Sequence, residues 1–134
     1  MFQPLKKIFA NFVTPLSTRV ENKFNQLFPR AKSIEWVTGN SFDEALFYQD
    51  QHEYIAKFDK KGNFIDYKIN LDIHTEVSTG IKEVIASYGE MMNVIAIYGD
   101  SGIKEYEIIY RNQTLDRYSL ALNSDGSHKS SEKL

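Results

Sequence analysis

The chain has 134 residues, of which 42% are apolar and 25% charged, which is an ordinary composition for a globular domain. A formal net charge of −2 and a pI of about 5.9 give no basic field for a phosphate backbone, so we expect no nucleic-acid partner. The sequence contains no cysteine, which excludes disulfides and cysteine-ligated zinc, and no stretch approaches the roughly 20 apolar residues of a membrane span.

Residues 1–17 are predicted to form a separate N-terminal segment, because Pro4 and Pro15 interrupt regular structure there. Lys6 and Lys7 precede a short apolar run, as in a signal peptide. However, Pro15 breaks the pattern and no small-x-small cleavage site follows. We therefore expect an ordinary segment, with an amphipathic helix as one form of it, and the sequence leaves the compartment undecided.

The first predicted helix begins at Thr18, because Thr18-x-x-Glu21 has the form of a capping box, and it ends at Pro29. Its apolar residues recur at helical spacing on one face: Val20, Phe24, Leu27 and Phe28. From Ile34 the period changes to two, which predicts four strands. These are Ile34–Val37, Phe42–Tyr48, Glu53–Phe58 and Ile65–Leu71.

A second helix is predicted from a similar apolar stripe, and Gly89 ends it. The stripe consists of Val77, Ile81, Val84, Ile85 and Tyr88. Three further strands follow: Asn93–Tyr98, Ile103–Tyr110 and Leu115–Leu122. Asn123–Gly126 has the composition of a turn, and residues 128–134 are polar, so we predict a flexible tail there.

The two halves of the chain resemble each other in sequence. Phe28-Pro29 lies 60 residues before Tyr88-Gly89, and Gly62 lies 64 residues before Gly126. Between them, Tyr48-Gln49-Asp50-Gln51 matches Tyr110-Arg111-Asn112-Gln113. The offset changes only at turns, where insertions cost little. We therefore predict one α+β domain, residues 18–127, made of two repeats at about 18–72 and 73–127. Each repeat contributes a helix and antiparallel strands to one continuous antiparallel sheet, with both helices on one face.

The same positions resemble a known family. The features are Phe28-Pro29-Arg30-Ala31 after the first helix, Trp36 in the first strand, Phe58-Asp59-Lys60-Lys61-Gly62, Tyr106 to Tyr110, and Asp125-Gly126. Together they are similar to the PepSY-like proteins with a β-lactamase-inhibitor-like fold, small proteins of unknown function found mostly in Bacteroidetes. The resemblance implies that fold and a periplasmic or secreted location, and it supplies no catalytic residues. The chain departs from the family pattern in having Glu76-Val77 where Leu-Pro is usual before the second helix, and in lacking a clear signal peptide.

Residues with catalytic or metal-binding chemistry are scattered. His52, His74 and His128 show no ligand spacing, so we expect no metal and no cofactor. Glu105 and Glu107 lie two apart on one strand face, a spacing that acid–base catalysis can use, but exposed like charges balanced by Arg117 are commoner. There is no G-x-S-x-G motif and no phosphate-binding loop. We therefore expect no enzyme activity.

The sheet face opposite the helices is the predicted functional surface. Pleating is expected to place large apolar residues and both charge signs there, which is typical of protein-binding patches. Seven residues carry this prediction: Phe47, Ile55, Lys57, Glu105, Glu107, Ile109 and Arg117. Alternatively, these residues pack against the N-terminal segment or against a second copy of the chain in a homo-oligomer.

Two functions follow from this surface. The first is a non-catalytic protein-binding module, with inhibition of a hydrolase as a special case suggested by fold analogy. The second is a small-ligand-binding or envelope-associated sensor domain, which would need an apolar pocket lined by Trp36 and the tyrosines. We expect Trp36 to lie beneath the first helix, with a binding hot spot as the alternative.

Overall fold

The computed structural model describes residues 15–134; most of the predicted N-terminal segment, residues 1–17, lies outside this range. The described elements are α1 (Thr18–Leu27), β1 (Lys32–Thr38), β2 (Phe42–Gln49), β3 (His52–Asp59), β4 (Phe64–Leu71), α2 (Thr79–Ala86), β5 (Glu90–Gly99), β6 (Gly102–Arg111), β7 (Arg117–Asn123) and β8 (His128–Lys133). The strands form an eight-stranded open antiparallel sheet in the order β1 to β8. The predicted α+β class with two helices on an antiparallel sheet is therefore confirmed.

The chain groups into two compact units that divide within β4. One ends at Tyr67 and the other begins at Lys68, a few residues before the repeat boundary predicted near 72. We call them the N-terminal unit and the C-terminal unit. Within the described residues, each contains one helix followed by antiparallel strands, which is the order predicted for each repeat.

Both helices begin at a serine cap. The Ser17 hydroxyl accepts a hydrogen bond from the Val20 backbone N–H at 3.2 Å, and Ser78 does the same for Ile81 at 3.3 Å. The capping box predicted at Thr18 is therefore one residue out of place, because the cap is the residue before it. Capping by a side-chain oxygen satisfies one of the N–H groups that a helix start leaves without a partner.

The core of the N-terminal unit is aromatic. Phe24 of α1 is 1% exposed and lies at its centre. Its ring centroid is 5.2 Å from Trp36, 5.0 Å from Phe47 and 6.3 Å from Phe58. Trp36 thus packs against the first helix as predicted, although it remains half-buried. Edge-to-face ring pairs add stabilisation beyond the burial of apolar area.

The core of the C-terminal unit is mostly aliphatic. Ile81 and Ile85 of α2 pack with the buried strand residues Val94, Ile108 and Leu120. Tyr110 closes one end of this core: its ring is stacked on Tyr118 at 5.2 Å and contacts Tyr88 at 5.5 Å. Each helix therefore packs two buried residues, Val20 and Phe24 of α1 and Ile81 and Ile85 of α2, against strands of its own unit. Leu27 of the first predicted stripe is 40% exposed, and Val77 and Tyr88 of the second lie just outside α2.

Stability at alkaline pH is expected to depend on Tyr110. Burial raises the pKa of its phenol above the ordinary value of 10.0, with smaller contributions from Tyr118 and Tyr88. A group whose pKa is higher in the folded protein stabilises the fold below pH 10, and this contribution is lost as the pH rises through the folded pKa. In urea denaturation series between about pH 8 and pH 11, wild type should therefore lose stability more steeply than Tyr110→Phe. Parallel losses would contradict the expectation; Tyr48→Phe, at an exposed tyrosine, is the control.

Each unit contains a hairpin turn of the same form. The Asp59 N–H donates to the Asn63 carbonyl at 2.9 Å, and the Asn123 N–H donates to the Ser127 carbonyl at 2.8 Å. In each turn three residues lie between the hydrogen-bonded pair, and the third of them is glycine. Gly62 and Gly126 have φ of 91° and 89°, a conformation that favours glycine. The turns lie 64 residues apart. This match supports internal duplication, which stays a prediction.

The predicted flexible tail is wrong. His128–Lys133 forms β8, which pairs antiparallel with β7, and Leu122 lies opposite His128. The Leu134 N–H donates to the Arg117 carbonyl at 2.9 Å. The segment is polar because all of its residues are exposed on an edge strand, where backbone hydrogen bonds and not side-chain burial hold it.

Candidate functional site

The helix-free face of the N-terminal unit is built from three neighbouring strands. Trp36, Ala45 and Ala56 lie opposite one another on the helix side, so the residues between them point to the other face. Two rows cross that face: Val37, Glu44 and Lys57, and beside it Glu35, Leu46 and Ile55. Phe42 lies next to Lys57 at the start of β2. We call these seven residues the β1–β3 face.

Large apolar side chains on the β1–β3 face are open to solvent. Val37 is 54% exposed and Phe42 43%, whereas buried apolar residues of the same strands on the helix side are nearly inaccessible. The Lys57 ammonium lies 4.3 Å from the centroid of the Phe42 ring, a cation–π contact that holds both side chains on this surface. Neighbouring exposed apolar residues flanked by charge are typical of protein-binding surfaces.

Within residues 15–134, the carboxylates of the β1–β3 face have no cationic partner. Among the described residues, neither Glu35 nor Glu44 forms an ion pair or a side-chain hydrogen bond. Lys57 is engaged by the Phe42 ring and by no carboxylate within ion-pair distance. The face therefore combines exposed apolar groups with uncompensated negative charge.

Phe47, predicted on this face, lies on the other side. It is 3% exposed, and its ring contacts Phe24 at 5.0 Å and stacks on Tyr54 at 5.1 Å within the core of the N-terminal unit. Its neighbour Tyr48 is 51% exposed. The assignment failed because Ala45 to Tyr48 is a continuous apolar run, and a shift of one residue moves every side chain to the opposite face.

Ile55 and Lys57 were placed correctly, but the sequence analysis missed their neighbours Val37, Phe42 and Leu46. The sequence signal was the small size of Ala45 and Ala56, which marks the helix side of β2 and β3. Side chains alternate between the two faces, so Phe42 and Leu46 fall on the other side. Ala45 and Ala56 are opposite each other and fully buried, as strand positions directly beneath a helix require.

The C-terminal unit holds the other four predicted site residues on its own helix-free face. The Lys129 ammonium donates to Glu105 at 2.6 Å, and the Lys68 ammonium donates to Glu107 at 3.1 Å. The partner predicted for these carboxylates, Arg117, is wrong. It pairs in register with Arg111 at the far end of β6, whereas Glu105 pairs with Asn123.

The ion pairs of Glu105 and Glu107 weaken both readings of these carboxylates, as part of a protein-binding patch and as acid–base groups. Ion-paired carboxylates are already compensated, so they offer a partner less charge to complement than Glu35 and Glu44 do. The fourth residue, Ile109, is half-buried between Asn93 and Ser119. Glu105 and Glu107 each accept from a lysine, and nothing in their geometry singles either out as a proton donor.

The histidines lie apart in the described chain. His52 Nδ1 is 2.9 Å from the Asp50 carbonyl, the His74 N–H donates to Asp72, and His128 begins the exposed strand β8. Across residues 15–134, no group of three or more His, Asp or Glu side chains is placed to hold a metal ion. Neither described helix is long and apolar enough to cross a membrane.

A cavity at the end of α1 was not predicted. It has a volume of about 230 Å³ and is lined by Leu27, Phe28, Gln49, Tyr54, Phe64 and Tyr67. Trp36, expected in an apolar pocket, is not among these residues. Gln49 also lines a second, larger cavity of about 520 Å³, together with Arg30, Lys32, Tyr48, Asp50 and Gln51. Gln49 ends strand β2, and nothing in the sequence around it indicates that it lines two cavities.

Comparison with known proteins places the fold. No family model and no curated protein matches the sequence. Among solved structures, a DUF2874 family protein from Bacteroides uniformis superposes with a TM-score of 0.78 at 15% identity, covering 89% of this chain and 90% of that one. A second DUF2874 family protein, from Bacteroides ovatus, has a TM-score of 0.77 at 14% identity and covers 90% and 89%. A BLIP-like protein from Bacteroides fragilis gives 0.76 at 15% identity over 93% and 91%.

The fold is β-lactamase-inhibitor-like. This confirms the architecture that the resemblance implied. Identities of 14–15% show the fold alone, because one fold serves many functions. Membership of the PepSY-like family therefore stays a prediction, and function has to be argued from the surface and cavity of this chain.

Proposed function

We propose that the chain is a non-catalytic protein-binding module whose β1–β3 face docks a partner protein. The observation that carries the proposal is the coincidence of exposed apolar groups, Val37 and Phe42, with carboxylates, Glu35 and Glu44, that form no ion pair with any residue that the structure describes. Such a patch gains from burying apolar area and from meeting opposite charge. Binding to a hydrolase, as an inhibitor would, is a special case that rests on fold analogy.

The chemistry of the face defines the partner. Its binding surface should present apolar side chains flanked by lysine or arginine, because those cations would compensate Glu35 and Glu44. The mixed rows of the face set a register, since an apolar group has to meet Val37 and Leu46 while a cation meets Glu44. The helix-free face of the C-terminal unit fits less well, because its carboxylates are already paired with lysines.

The test uses a double substitution, Val37→Asp with Phe42→Asp. Both side chains are exposed, so the fold should persist. A carboxylate at each position would have to be desolvated against the apolar groups of the partner, which opposes docking. Leu115→Asp is the matched control: Leu115 is 67% exposed and has a positive φ of 67°, which aspartate tolerates, and it lies in the loop between β6 and β7. Proteins retained from a lysate of the source organism by wild type and by Leu115→Asp should be lost with the double variant.

A purified partner then decides the question. Its affinity should fall at least tenfold with the double variant, and its association should slow as salt rises. Hydrogen exchange in the complex should be slowed in β1 to β3. Equal affinity for all three proteins would contradict the proposal. So would sedimentation showing that wild type self-associates through this face while the double variant is monomeric, because the occupant would then be a second copy of the chain.

A further inference from the structure

The cavity at the end of α1 is walled by aromatic rings that already contact one another. Phe28 is 6.1 Å from Tyr54 and 5.6 Å from Tyr67, and the two tyrosines stack at 5.8 Å with 24° between their planes. Phe64 lies 6.0 Å from Tyr67 and completes the wall. Because these rings pack against the core of the N-terminal unit, the cavity is formed before anything binds.

One polar group is buried in this apolar wall. Gln49 is 7% exposed, and its side-chain Oε1 is buried without a hydrogen-bond partner. A buried oxygen without a donor costs free energy in the folded protein, so its presence calls for a use. Asp43 also has a buried oxygen without a partner, but Lys60 donates to the other oxygen of that carboxylate. Among the described residues the Gln49 oxygen has no hydrogen-bond partner; it is neutral and closed to solvent, and Gln49 is one of the residues that line the cavity.

We propose that this cavity binds an aromatic group that carries a hydrogen-bond donor. The ring would lie against Phe28, Tyr54, Phe64 and Tyr67, and the Gln49 amide would turn toward the guest so that Oε1 accepts from its donor. The volume of about 230 Å³ is sufficient, since an apolar cavity of about 150 Å³ is known to bind benzene. Leu27, which is 40% exposed, lines the same cavity and provides a route from solvent. The site is separate from the proposed docking face, because Gln49 points to the helix side of β2.

The ring and the donor contribute differently. Aromatic walls favour any planar apolar guest through stacked and edge-to-face contacts. The Gln49 oxygen adds discrimination, because a guest without a donor leaves it unsatisfied. The chemical class is therefore an indole- or phenol-like group, either on a free small molecule or on a tryptophan or tyrosine side chain.

Indole and 1-methylindole are the matched probes, since methylation removes the N–H donor and keeps the ring. Titration of the labelled full chain, followed by NMR, should show indole binding about tenfold more tightly than 1-methylindole. The shifted resonances should include the Gln49 side-chain amide. Gln49→Leu should bind the two probes equally, whereas Gln26→Leu, at an exposed residue of α1, should keep the preference.

N-acetyltryptophanamide separates the two sources of the ring. Binding as strong as that of indole points to a polypeptide side chain, and exclusion of the amide with indole still bound points to a free small molecule. Equal binding of indole and 1-methylindole to wild type, or no shift at Gln49 with either probe, would overturn the proposal. The Val37→Asp, Phe42→Asp double variant should bind indole as wild type does, so this test and that of the docking face fail independently.

Discussion

Phe24→Ala is expected to lower the free energy of unfolding by about 4 kcal/mol, the largest effect of any single substitution considered. Phe24 is 1% exposed, and its ring contacts four other aromatic rings, from Phe28, Trp36, Phe47 and Phe58. Truncation removes the transfer free energy of the ring and leaves a cavity that rigid neighbours fill poorly. Guanidinium denaturation followed by Trp36 fluorescence measures the change, because that indole lies 5.2 Å from the Phe24 ring.

Two further substitutions give the test its scale. Leu27→Ala, at a residue of the same helix that is 40% exposed, should cost less than about 1 kcal/mol. Phe24→Leu keeps most of the apolar volume and should fall between the two, which preserves a measurable protein if the alanine variant does not fold. An alanine variant at position 24 that is no less stable than Leu27→Ala would show that the aromatic core is not the main support of the N-terminal unit.

Lys60→Ala is expected to cost about 3 kcal/mol, because it leaves a buried carboxylate without its cation. Asp43 is 0% exposed, and the Lys60 ammonium donates to its Oδ1 at 2.5 Å with only 20% of the lysine side chain exposed. Lys61→Ala, at the next position and exposed, should change stability by less than about 0.5 kcal/mol. Urea denaturation of the three proteins at neutral pH measures both differences.

The double variant Asp43→Val with Lys60→Met separates the value of the pair from the cost of breaking it. Replacing a buried ion pair by apolar residues is often neutral or stabilising, so the double variant should recover most of the stability lost in Lys60→Ala. Equal stability of Lys60→Ala and Lys61→Ala would contradict the expectation. It would mean that the Asp43 carboxylate does not need the Lys60 cation, although it is completely buried.

Local patterns were sufficient to predict the elements of this fold. The stripe containing Val20 and Phe24 predicts a helix because apolar spacing near 3.6 residues matches only that geometry. Alternation along the strands and glycine at the third turn position predict hairpins for similar reasons, and Gly62 and Gly126 indeed have positive φ. The predicted cap of the first helix was off by one residue, since Ser17 and Thr18 have similar capping propensities.

The face on which each strand places its side chains was harder to predict. The sequence match of the two halves pairs Tyr48 with Tyr110, and Phe47 was predicted on the open face. In the structure it is Phe47 that stacks on Tyr54, at 5.1 Å, as Tyr110 stacks on Tyr118, at 5.2 Å. Four consecutive apolar residues carry no period, so the hydrophobic pattern of β2 fits either face.

The sequence by itself determined the class of fold, because helix and strand periods, turn residues and caps act over a few neighbouring positions. Only the tertiary structure decided which surfaces are available for function. The unpaired carboxylates Glu35 and Glu44, the lysine partners of Glu105 and Glu107, and the buried oxygen of Gln49 all depend on residues brought together from distant parts of the chain. Hydrogen bonding and charge compensation are properties of such neighbourhoods, and spacing along the chain does not encode them.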